Sequence, residues 1–206
     1  MEKFHIDGSI VYLLPVIHAL EGEEKKVADA FERVEPDCVA MGISPEDIRL
    51  IEREEGDEEF EMSLQHQSYL MHLSAYGNIS IPPLDIRTAY EMAKKRGVPV
   101  EAVDIDDERY AELLTANVSI FALIRHSRKV KKLSRRKFRA KSAEEFVHEW
   151  DRELNAIPSF RRIEDERERH MAERVRRLCS HHKRILAIIQ LERCKGVIRE
   201  LERYKK

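Results

Sequence analysis

A chain of 206 residues, 42% hydrophobic and 37% charged, is long enough for one compact domain with a real core and has a heavily charged exterior. Its 37 Lys and Arg against 39 Asp and Glu leave a net charge of −2, which excludes a bulk attraction of the whole molecule to nucleic acid or acidic membranes. Cys38, Cys179 and Cys194 are odd in number and lack a CxxC spacing, which excludes a disulfide framework and a zinc ribbon.

In chain order, the opening MEKFHIDGS has no basic segment followed by a long apolar core, and no stretch reaches the roughly 20 apolar residues of a spanning helix. A cytoplasmic protein without a membrane span is expected. Ile10 to Ile17 is a continuous apolar run that reads as a buried strand ending at His18. Val27, Ala30, Phe31 and Val34 place one apolar stripe on a helix over 22–35, which Pro36-Asp37 breaks. Cys38 to Met41 is a second strand, and Ser44-Pro45-Glu46 has the form of an N-cap with proline at the first helical position. From about 56 to 83 the periodicity weakens into an irregular helical insertion. Asp85 then reads as a cap for a helix carrying Ile86, Ala89, Tyr90 and Ala93, Gly97 ends it, and Val98 to Val103 is a third strand.

Asp104-Ile-Asp-Asp107 stands at a strand end and a helix start, where carboxylates cap the helix or face a ligand. Tyr110, Leu113, Leu114, Phe121 and Ile124 predict one long buried helix running into the basic stretch Arg125 to Lys141. Helices over 142–154 and 160–178 complete a helical segment of about 107–180. Arg167 lies four residues from both Ile163 and Met171, on the apolar stripe, so it requires either a core carboxylate such as Asp104 or Asp106 or an anion in a cleft. Ile185 to Leu191 is the last strand, and Val197, Ile198, Leu201 and Tyr204 mark a closing helix. The alternation predicts an α/β fold, a mainly parallel sheet flanked by helices in a single domain over 1–206, whose strand C-terminal ends share one edge. His18, Gly42, Asp104 and Gln190 to Arg193 belong to that edge.

Several of these stretches, in this order, resemble the motifs of the TraB/PrgY family, which is related to the Tiki-type metalloproteases and more remotely to erythromycin-esterase-like and ChaN-like proteins. Leu14-Pro-Val-Ile-His18-Ala-Leu is similar to the family's GTAHVS-like strand end, and Glu35-Pro-Asp-Cys-Val-Ala-Met-Gly-Ile43 to its PD-x-V-x-x-E-L strand. Ala89 to Ala93, Gly97-Val-Pro-Val100 and Asp104-Ile-Asp106 resemble its small-residue helix, G-x-P-V strand and DRD-like turn. Glu166-Arg-Glu-Arg-His-Met-Ala172 matches its ER-x-x-x-M-A helix, with Arg167 on the family arginine, and Ala187 to Val197 its closing strand and turn.

The resemblance implies a hydrolytic metal site using two histidines and a glutamate, and the departures fall on it. His18 remains, but Pro15 replaces a motif glycine, Gly42 the strand glutamate, Ile105 the DRD arginine and Arg193 the second histidine. A divalent metal held by imidazole and carboxylate needs about three protein ligands, so no metal and no cofactor is expected. The preferred expectation is a degenerate, non-hydrolytic binding or regulatory homologue, a pseudoenzyme. Its pocket is lined by His18, Arg167, Asp104, Asp106 and Arg193 and takes a small anionic ligand or a protein partner. One alternative is a metal-dependent hydrolase or peptidase rebuilt around His18 as catalytic residue, drawing on Glu192, Cys194, Asp104, Asp106 or His181-His182. Another uses the basic segment 125–141 for nucleic acid or an acidic partner, although Phe138 is its only aromatic. The acidic run Glu52 to Glu61 and that basic segment are otherwise solvated faces that neutralise one another. A homodimer is the default assembly, and the wealth of Lys, Arg and Glu is of a kind found in thermophile proteins.

Overall fold

The computed structural model describes residues 1–52 and 62–204; the acidic run expected over 52–61 and the front of the insertion lie, from residue 53 to 61, outside the described residues. A five-stranded sheet in the order β1-β2-β5-β3-β4 is parallel except for β1 at its edge, as the alternating pattern requires. Its strands are β1 (Glu2–Ile6), β2 (Ser9–Val16), β3 (Cys38–Met41), β4 (Val100–Ala102) and β5 (Arg184–Gln190). The hairpin β1-β2 is an element beyond those expected. Asp7 and Gly8 both have positive φ, 48° and 82°, the twist that a two-residue turn between antiparallel strands demands. The N–H of Ile10 donates toward Lys183, so the even positions of β2 face β5 and the odd ones face β1. The donor that Pro15 lacks therefore falls on the β1 side, beyond the last pair Glu2 with Leu13, and leaves no gap in the ladder.

Strand β5 is central and alternates between the two faces. Ile185, Ala187 and Ile189 pack toward helices α8 (Pro158–Leu178) and α9 (Leu191–Glu202), which supply Met171, Val175, Val197 and Leu201. Leu186 and Ile188 pack toward α1 (Glu23–Val34) and α4 (Leu84–Arg96), which supply Val27, Phe31, Ile86 and Ala89. The result is a helix-sheet-helix sandwich. The short α2 (Pro45–Glu52) follows β3, with Ser44 and Asp47 bonded to one another at its start.

The insertion and the long helical segment resolve into separate helices: α3 (Leu64–Leu73), α5 (Asp107–Asn117), α6 (Ile120–Leu133) and α7 (Ala143–Leu154). One continuous buried helix through Tyr110 and Ile124 is not what forms. Val118 is extended, Ser119 caps a new helix through the Ala122 N–H, and Phe121 and Ile124 are exposed. Helices α3, α6 and α7 make a cap with its own core, in which Phe146 packs on Tyr69, Tyr76, Phe138 and Trp150. Ile17 and Leu191 join this core, so the cap sits on the C-terminal ends of β2 and β5. Among the described residues, no helix is long and apolar enough to cross a membrane.

Phe146 is the side chain the cap closes around. Phe146→Ala is expected to cost about 3–5 kcal/mol, read in denaturant by the fluorescence of the single tryptophan, Trp150. A loss below about 1 kcal/mol would mean that the cap does not fold cooperatively with the sandwich.

Candidate functional site

His18 stands just past the end of β2 in a turn whose next residue, Ala19, has φ +70°, a left-handed conformation that costs a non-glycine residue roughly 1–2 kcal/mol. The turn is held by backbone bonds to the segment ahead of α4, where Ser80 donates to Ala19 at 2.9 Å and Glu21 to Asn78 at 3.0 Å. That segment also delivers Asp85, whose expected capping role is corrected. Its side chain is fully buried, and the His18 Nδ1–H donates to Asp85 Oδ2 at 2.5 Å. The positive end of α4 supports the carboxylate. The His18 Nε2 and the Asp85 Oδ1 are both buried without a partner among the described residues.

Burial by itself lowers the His18 pKa, but the bond to Asp85 and the charges of Asp85, Glu192 and Asp47 outweigh it and hold the imidazole above its ordinary value. Glu192 is in the first turn of α9, which follows β5 without a loop. Burial raises its carboxyl, against a backbone N–H and the charges of His18 and Arg167. Tyr69 of the cap is raised by burial and by Glu192. The edge at His18 is therefore rich in carboxylate and suited to holding a proton.

The other positions marked by the resemblance are occupied by different chemistry. The Gln190 side-chain amide donates to the carbonyl of Gly42, and a Cβ at Gly42 would stand 2.8 Å from Gln190 Oε1, so a side chain there would have to displace the Gln190 amide. Arg193 projects from α9 into a cage rather than toward His18. It is 3% exposed and pairs with Asp151, with Glu164 at 3.0 Å and with Glu168 at 3.1 Å. Arg167 donates to Asp104 through Nε at 3.2 Å and Nη2 at 2.5 Å, and to Glu164 at 2.9 Å. Glu164, Arg167 and Glu168 share one face of α8, and Arg161 reaches Glu168 at 2.8 Å. A Cβ on Gly196 would lie 1.7 Å from Glu168 Oε2, so residue 196 is glycine to make room for this carboxylate.

Of the residues expected to line one pocket, Arg167, Asp104 and Arg193 belong to this network, and His18 faces it across Glu192. Asp106 is elsewhere: exposed, it caps α5 by accepting from the Arg109 N–H at 2.7 Å. The small anionic ligand meets a physical obstacle, because both arginines are already committed to carboxylates. Cys194 lies in the sandwich core, its thiol pushed up to about 12 by burial and by Glu192, which disqualifies it as a nucleophile for His18. His181 and His182 precede β5 at the opposite edge of the sheet. Among the described residues, no group of three or more His, Cys, Asp or Glu is arranged to hold a metal ion. No protein-family model matches the chain, and no curated protein matches it.

The residues sequence reasoning missed are Asp85 as the partner of His18, and Glu164, Glu168 and Asp151 as the cage of Arg193. Glu164 and Glu168 carried a signal, since they stand four residues apart and Glu164 three residues before Arg167 on the helix. Asp85 carried none that separates it from a cap.

A raised His18 pKa means that the folded state binds the proton more tightly than the unfolded chain. The pair's contribution to stability is complete below the ordinary histidine value, about 6.5, and is lost as pH rises through the folded value. The stability difference between wild type and His18→Gln should thus be level below about pH 6.5 and shrink as pH rises above it in unfolding titrations, and a difference that grows with pH would contradict the pairing. Gly196→Ala should cost about 1–3 kcal/mol through displacement of Glu168, and Gly196→Ala with Glu168→Gln less than the sum of the separate losses.

Proposed function

We propose that this chain is a TraB/PrgY-like α/β domain that has lost the metal-hydrolase constellation and acts by binding, in a binding or regulatory role. The cleft where His18, Asp85 and Glu192 meet below the helical cap is its binding site. The observation that carries this reading is the fate of the other two ligand positions: Gly42 is stoppered by Gln190, and Arg193 is held by Asp151, Glu164 and Glu168. An imidazole whose pKa is raised by neighbouring carboxylates, with acceptor oxygens of Asp85 and Gln190 unpaired among the described residues, favours a ligand offering hydrogen-bond donors over an anion.

A second reading, metal-independent acid-base chemistry at His18, is favoured by a specific observation. Asp85 fixes the ring through Nδ1 and leaves Nε2 as the nitrogen available for proton transfer.

Both readings separate from a rebuilt metallohydrolase in one experiment. Protein loaded with zinc or manganese and then dialysed should retain far less than stoichiometric metal, equally in wild type and His18→Ala. Stoichiometric metal that His18→Ala abolishes would overturn the proposal. A metal-independent turnover that His18→Ala removes while the melting curve remains cooperative would establish the second reading instead of the first.

A further inference from the structure

Helix α6 carries the largest exposed apolar side chains of the described residues, with Ile120 75% and Phe121 84% exposed and Leu123 and Ile124 beside them. Its inner stripe, Val130 and Leu133, is packed in the cap, and Lys129 and Arg136 are tied to Glu153 and Glu149, so the helix is anchored with this face outward. At 100° per residue, Arg128, Lys131 and Lys132 continue the same outer face toward the C-terminal end, and Arg135 follows in the turn just past it. These four are exposed and make no ion pair among the described residues. From Leu113 to Ala143 the sequence holds no Asp or Glu to neutralise them.

An apolar tip followed by a row of unpaired cations on one rigid helix needs a cover that is apolar inside and anionic at its surface. We propose that α6 is a membrane-surface docking helix for an anionic lipid bilayer, its tip Ile120, Phe121 and Ile124 entering the acyl boundary and its cationic half lying on the headgroups. The helix is about 21 Å long, and such faces enter the interface by about 5–10 Å, so the first two turns suffice to seat it. Nucleic acid fits less well. The exposed tip is mainly aliphatic, and Phe138, the aromatic of the basic stretch, is packed against Phe146 and Trp150 instead of being offered to bases. A second copy of the chain would bring the unpaired cations of both copies close together. The inference is independent of the reading of the His18 cleft.

The test is co-sedimentation of the full chain with vesicles of phosphatidylcholine alone or with about a third phosphatidylserine, at low and high salt. Binding is expected only to the phosphatidylserine vesicles, weakening with salt. Lys131→Gln with Lys132→Gln should reduce it about fivefold per charge, and Phe121→Ser with Ile124→Ser about tenfold. All four side chains are exposed, so unchanged melting curves would show that folding is intact. Several results would overturn the proposal. One is no binding to anionic vesicles at low salt; another is binding indifferent to the Phe121 and Ile124 changes. A third is tighter binding of a duplex oligonucleotide that those changes leave untouched. Self-association in sedimentation velocity that Phe121→Ser abolishes would assign the face to a second copy instead.

Discussion

The burial of Arg193 organises the carboxyl edge of this sheet. Taking a guanidinium out of water costs several kcal/mol unless nearly all its donors are met, and here Asp151, Glu164 and Glu168 meet them from α7 and α8. That requirement sets the approach of α9 to α8 and leaves no space for a side chain at Gly196. It also ties α7, and with it the helical cap, to the sandwich. Because α9 continues from β5 without a loop, fixing Arg193 also fixes Glu192, one residue earlier and turned toward His18.

Two kinds of charge therefore meet at this edge. The arginine network alternates Asp104, Arg167, Glu164, Arg193, Glu168 and Arg161, and each cation has a carboxylate partner. It has no surplus positive charge with which to draw in an anion. The His18 group differs: Nε2 of the ring, Oδ1 of Asp85 and Oε1 of Gln190 are buried and without partners among the described residues. Unmet hydrogen-bonding capacity of this kind is costly in a purely structural position, and it is the feature on which the proposed binding role rests.

Periodicity made most of the sandwich legible, because a buried strand and a one-sided helix leave patterns that depend only on which residues are covered. The helices with Val27, Phe31 and Ala89, and the strands with Val39 and Ile188, all read that way. The initial hairpin was not read: Asp7-Gly8 between Phe4, Ile6, Val11 and Leu13 is its signal, but the unbroken apolar run from Ile10 obscures the alternation. Periodicity cannot say which of two stripes is covered. Phe121 and Ile124 have core spacing and are exposed, while Val130 and Leu133 on the same helix are packed. At the site the limit is different. Asp85 begins a helix, so its local role conceals its bond to a histidine 67 positions away, and no spacing rule announces that Gln190 stoppers Gly42.

The net charge of −2 is a poor guide to how the molecule meets its surroundings, since the balance is struck unevenly in space. Inside, arginines on α8 and α9 are matched by acids on the same or adjacent helices, and their fields cancel over a few ångströms. On the outer face of α6 the cations have no such partners among the described residues. At physiological salt a charge is felt over only about 8 Å, so a partner approaching α6 meets that local positive face and not the average of the whole chain. A protein of nearly neutral total charge can thus hold an acidic cluster around His18 at one place and present a cationic, apolar-tipped helix at another.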